Sequence, residues 1–219
     1  MLSLAEEILL LSLLEKKESI QLPSSLSLPF ALSGAIIYEM IQTGQLALED
    51  GRLRATLLSE QASGEVGHVL IEKMALMDKP KKLRNWVFVL GARGKRITKI
   101  TFHSLVERGL LVEGKNDIQW SGFDEGGLQQ DQLAKYLLKR QMRDALYCDA
   151  VVSERALACL VLMDACGLFD HLFTKDELVA ARKKLKQLRT EDRYPASFLV
   201  LLDQMVEAIS FAVASAVSG

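Results

Sequence analysis

Arg96, Lys99 and His103 recur at spacings of three and four, so on a helix they share one face. Arg93 and Lys95 stand just before them. Backbone N–H groups and the positive end of the helix dipole at such a start also favour an anion. The chemistry this points to is binding of a phosphate or another anionic headgroup. These residues belong to a longer acid-free run. From Lys79 to Lys99 there are eight basic side chains (Lys79, Lys81, Lys82, Arg84, Arg93, Lys95, Arg96, Lys99) and no acidic one. The whole chain is nearly neutral, with 27 basic and 28 acidic residues, so the remainder carries a balance of −9. A concentrated positive field on an acidic body serves to meet something anionic, such as a membrane surface, a phosphorylated headgroup or a nucleic acid. Lys82 and Arg84 add to that field.

Apolar side chains follow close by in sequence. Ile118, Trp120 and Phe123 lie in and after a segment, Leu110 to Trp120, that reads as a β-hairpin. Exposed apolar residues beside a basic patch would dip into the interfacial zone while the charges hold the headgroups. The bland reading is that Trp120 folds onto the core. Basic clusters at Lys135, Lys139, Arg140, Arg143 and at Arg182, Lys183, Lys184, Lys186, Arg189 read as solvated helix faces.

Catalytic chemistry finds little purchase. His68, His103 and His171 lack the spacing of a metal site, so no metal and no cofactor are expected. Gly91-Ala92-Arg93-Gly94 is too short for a nucleotide loop and has no strand before it. Cys148, Cys159 and Cys166 sit in apolar helical surroundings and read as buried free thiols of a reducing compartment. The chain is expected not to be an enzyme. A winged-helix-like nucleic-acid-binding module is the alternative, because SLVERGLLVEGKNDIQW resembles a last helix and wing. Its face would offer only Arg96, Lys99, His103 and Ser104 to base edges.

The elements that must position these residues are mostly helical. Two hundred and nineteen residues, half of them apolar, can form a sizeable core, and no Pro- or Gly-rich linker divides them. The expected architecture is mainly α: one domain over 1–219, a helical bundle with one or two small β-hairpins. Ser3-Leu4-Ala5-Glu6 is a capping box that opens a first helix through MLSLAEEILLLSLLEKK. Glu6 and Glu7 there argue against a signal peptide. Ser33 caps a second helix from about Gly34 to Thr43. Gln45 to Ala55 alternates around Asp50-Gly51, a hairpin signal. Further helices are expected near Val66 to Met77, then from an Asp78 cap and Pro80 to Gly91, and from Arg96 to Arg108. Four more cover Gln130 to Tyr147, Glu154 to Phe169, Thr174 to Arg189 and Ala196 to Val217. No run is expected to span a bilayer, because Asp203 and Glu207 interrupt the last.

The blocks LSLAEEILLLSLLEKK, ALSGAIIYEMIQTGQLALEDGRLR, LVERGLLVEGKN, LAKYLLKRQMRDAL and ERALACLVLMDACGLFDHLF, with Asn85-Trp86 between them, resemble the Golgi phosphoprotein 3 family in the same order over nearly the whole chain. This chain looks like a compact, bacterial-type relative without the long N-terminal extension. The resemblance implies a mostly helical, cytoplasmic, peripherally membrane-associated domain. Such a domain binds phosphatidylinositol 4-phosphate in a basic pocket and inserts a neighbouring hairpin into the bilayer. It also implies binding of cytosolic tails of membrane enzymes, an adaptor role, and self-association into a homo-oligomer. The family's pocket positions fall near Ser24, on Ser33, and near Lys95 and Thr98 with Arg96 and Lys99 adjacent. Its insertion hairpin corresponds to about Lys115 to Phe123, diluted here by Asn116, Asp117 and Gln119. The match supports affinity for anionic lipid in general more than selectivity for one phosphoinositide.

Overall fold

In the computed structural model the described residues are 1–16, 19–21, 26–58, 65–76, 79–113, 118–120, 130–147 and 152–218. The capping box forms as the sequence dictates. The Glu6 N–H donates to Ser3 Oγ (3.2 Å), and the Ser3 N–H donates to the Glu6 carboxylate (2.6 Å). Helix α1 (Leu4–Ser12) is buried along its whole length, with α2, α5, α6 and α7 packed around it. It ends earlier than the expected run through Lys17. Leu13 turns extended, and Leu14–Lys16 is a strand, β1, paired antiparallel with β2 (Ser19–Gln21). A short continuous apolar run reads equally as helix or strand, which is why the sequence hid the change.

The stretch read as irregular up to Pro29 already contains the start of α2 (Leu28–Gln42). Proline is tolerated in a first turn, where its missing N–H has no intrahelical acceptor anyway. Ser33 is therefore not a cap. It is fully buried inside the helix, and its hydroxyl donates to the Pro29 carbonyl one turn back (2.7 Å). The first hairpin forms as expected from β3 (Leu46–Glu49) and β4 (Arg52–Ala55). Asp50 and Gly51 both take positive φ (49° and 71°), the geometry of a tight primed turn.

Helix α3 (Glu65–Ala75) follows, and then α4 (Leu83–Gly91). The expected start of α4 near Pro80 is displaced because the first hairpin takes the preceding backbone. The Leu53 N–H donates to the Lys81 carbonyl (3.0 Å), and the Leu83 N–H to the Gly51 carbonyl (2.9 Å). Asp78, the expected cap, lies outside the described residues. Leu83, Trp86, Val87 and Leu90 form the buried face of α4, as their spacing predicts.

After α5 (Gly94–Glu107), β5 (Leu111–Glu113) and β6 (Ile118–Trp120) pair antiparallel. They do not stand alone. β6 also pairs with β2, giving a four-stranded sheet in the order β1-β2-β6-β5. The remaining helices are α6 (Gln130–Tyr147), α7 (Glu154–Ala165), α8 (Lys175–Leu188) and α9 (Ala196–Ser218), with a 3₁₀ turn at Phe169–His171. The architecture is mainly α, with nine α-helices among the described residues. Cys159 and Cys166 are free and buried; Cys148 lies outside the described residues.

One expectation about α9 needs correcting. By length and composition, the 21 residues Ala196–Ala216 suffice to cross a membrane, despite Asp203 and Glu207. In the fold this apolarity has another use. Phe198, Leu202, Met205, Ile209 and Ala212 are buried, and the helix packs against α4, α7 and α2.

Candidate functional site

Helix α5 carries the basic cluster because its two faces differ. Ile97, Thr101, Phe102 and Leu105 point inward, while Lys95, Arg96 and Lys99 are exposed on the other side and Arg93 is exposed at the N-cap position. The helix is held from its far end by a buried carboxylate. Glu6 of α1 accepts the Ser104 hydroxyl (2.5 Å) and the Arg108 guanidinium (2.7 Å). Burial raises the affinity of Glu6 for a proton, but bonds from Ser104, the Ser3 N–H and Arg108 outweigh it and hold the carboxyl below its usual range. A second buried carboxylate, Glu7, goes the other way. Burial pushes it up despite its pairing with Arg155, which also binds Glu39 (2.7 Å).

The N-terminal end of α5 meets the N-terminal end of α2. A Cβ on Gly94 would lie 2.9 Å from Pro29 Cγ, and a Cβ on Gly91 would overlap the Phe30 ring. The starts of two helices, each the positive end of a helix dipole, thus lie side by side next to the basic cluster. No side chain caps either one; the Ser27 hydroxyl instead donates to the Cys166 carbonyl (2.6 Å). The Arg96 and Ile97 N–H groups turn back to the Arg93 carbonyl (2.8 and 3.3 Å). Among the described residues no carboxylate pairs with Arg93, Lys95 or Lys99. Four exposed cations over two converging helix starts can hold a multiply charged anion.

Not every residue singled out from sequence joins them. Arg84 lies near the start of α4, whereas Arg93 follows its end. Its guanidinium stacks on the Phe211 ring of α9 (5.0 Å to the centroid), with Nε shielded from water and unbonded. Lys82 is exposed at the N-cap of α4, where its backbone bridges to Arg52 of the first hairpin. Both therefore sit at the other end of α4 from the cluster. Ile118 and Trp120 fall on β6, an inner strand of the four-stranded sheet rather than the free arm of a projecting hairpin. That sheet also leaves from the C-terminal end of α5, whereas the cations gather at its N-terminal end. Phe123, the hairpin tip and Ser24 lie outside the described residues. Ser33, buried in α2, has no access to a headgroup.

Sequence reasoning overlooked Pro29, Phe30, Gly91 and Gly94, which bring the two helix starts together. Two glycines bracketing Ala92-Arg93 were the available sign. Side-chain-free positions beside a basic residue permit a close backbone approach.

Residues 4–209 match the family described as Golgi phosphoprotein 3 (GPP34), and the chain belongs to that family. No curated protein matches it.

Proposed function

We propose that this is a peripheral membrane-binding protein that holds anionic lipid headgroups through Arg93, Lys95, Arg96 and Lys99. The observation that carries the reading is the placement of this acid-free cluster, exposed, over the adjoining starts of α2 and α5. At about 1 kcal/mol per basic residue near an anionic surface, four cations contribute about 4 kcal/mol, nearly a thousandfold in affinity. Membership of the Golgi phosphoprotein 3 family supports the same direction. Phosphatidylinositol 4-phosphate is the ligand the family implies. Ser33, buried in this fold, supports a looser preference for negative charge instead. The adaptor role and self-association rest on the family alone. A winged-helix reading is weakened by β6, which a free wing would leave unpaired on its outer side.

Flotation with phosphatidylglycerol-containing and purely phosphatidylcholine vesicles tests the proposal. Wild type is expected to float with the acidic vesicles only, and Lys95→Ala/Arg96→Ala/Lys99→Ala to lose most of that binding. Equal flotation of both proteins, or none of either, overturns it.

A further inference from the structure

Helix α6 turns Leu138, Met142 and Leu146 into the core. Its outward face is not the polar one that such a helix ordinarily shows to water. Leu133, Tyr136, Leu137 and Tyr147 are each about half exposed (49–61 %). Leu133, Leu137, Arg140, Asp144 and Tyr147 follow one another at spacings of four and three, which makes a heptad seam along one side of the helix. In the middle of the seam Arg140 and Asp144 pair with each other (3.5 Å), both well exposed. An ion pair so open to water contributes little by itself. Beside the seam a cleft of about 510 Å³ opens toward the start of α7, with Leu137, Ala145, Val152 and Ala156 in its lining. The Tyr147 ring is steadied by an edge contact with Phe173 (6.1 Å).

The seam is complementary to itself. Counted from the level of Met142, Arg140 and Asp144 stand two residues to either side, and Leu137 and Tyr147 five. A two-fold axis at that level lays a second α6 antiparallel on the first. Each Arg140 then faces the other copy's Asp144, so four charges alternate in sign around the axis. Each Leu137 faces the other copy's Tyr147, whose ring meets the cleft. Parallel pairing would set like charges against each other. An anionic membrane would meet Asp144 as a like charge at the centre of the seam.

We infer that two copies of the chain pair through this seam, antiparallel, about a two-fold axis at the level of Met142. The inference rests on no part of the lipid reading, and it goes beyond the self-association the family implies by fixing a face and a register. Sedimentation equilibrium of the full chain tests it. Wild type is expected to dimerise reversibly. Arg140→Asp and Asp144→Arg each set like charges against each other across the axis, which disfavours association. Each variant alone should be monomeric where wild type is dimeric. Mixed in equal amounts, the two regain opposite charges at both contacts and should form a heterodimer. Leu137→Glu, which leaves the ion pair in place, should also be monomeric. Thermal melts confirm that the variants fold. If a single charge variant does not, Leu137→Glu and the swapped Arg140→Asp/Asp144→Arg, expected to dimerise like wild type, decide. A wild type that stays monomeric at every concentration overturns the inference. So do charge variants or Leu137→Glu that dimerise as tightly as wild type, and so does a mixture, or a swapped variant, that stays monomeric.

Discussion

Glu6 illustrates how one residue can serve two levels of structure. Its side chain closes the capping box of α1 and, at the same time, anchors the far end of α5 through Ser104 and Arg108. Glu6→Ala leaves the Ser3 N–H and the Ser104 hydroxyl without their acceptor. The cost expected from a partly buried charged acceptor is roughly 2–4 kcal/mol, read as a fall in urea midpoint at unchanged m-value. Glu177 acts in a different pH window. Its carboxylate closes the capping box of α8 at Thr174 and pairs with Arg143, and the Arg143 bond, first among the causes, lowers its pKa from the ordinary 4.5 to about 2. A depressed folded pKa stabilises above the unfolded value and loses that contribution as pH falls toward the folded one. The melting-temperature gap between wild type and Glu177→Gln should therefore be full above pH 4.5 and close between 4.5 and about 2. A gap that persists at pH 2 contradicts the assignment.

At the scale of elements, the contact between α2 and the α4–α5 turn decides whether the basic cluster is a site at all. Gly91 lies under the Phe30 ring, which stacks with Phe88 at 6.4 Å. Gly91→Ala forces a rigid aromatic ring to move, an overpacking cost of about 1–3 kcal/mol. It also parts the two helix starts. Vesicle binding per folded molecule should then fall together with stability, whereas Gly51→Ala, strained at a distant turn, should lower stability alone. Helix existence was readable here because caps and periodicity are local: Thr174 to Glu177, Leu83 to Leu90 and the Asp50-Gly51 turn all formed as their residues dictate. The boundaries that failed lie at Leu14, where a neighbouring strand competes with the helix, at Ser33, where a first turn carrying Pro29 extends the helix upstream, and at Pro80, where a distant hairpin supplies the hydrogen bonds. β2 takes β1, and the first hairpin takes Lys81 and Leu83.

For the molecule as a whole, the eight cations of 79–99 ride on a body of opposite sign. Such an arrangement orients the protein at an anionic surface and repels it when turned over. Exposed charges are screened beyond a Debye length, roughly 10 Å at 0.1 M salt and about 3 Å at 1 M. Vesicle binding should weaken at least tenfold between those conditions, measured by flotation or sedimentation. Salt-independent binding would mean that apolar insertion, not charge, carries the attachment. The structure divides the eight cations, however. Arg84 spends its charge on Phe211 and Lys82 stands at the other end of α4, so the field is broader than the site.

The amino-acid sequence by itself determined the helical class, most helix interiors and the acid-free basic run. Each follows from residue type and short-range spacing, acting within a turn or two of the chain. What it could not determine was the company those residues keep. The adjoining starts of α2 and α5, the pairing of β6 with β2, and the face of α6 left exposed depend on contacts between residues far apart in sequence. Only the packed core sets such contacts, because a side chain's neighbour across an interface leaves no mark on its own local pattern.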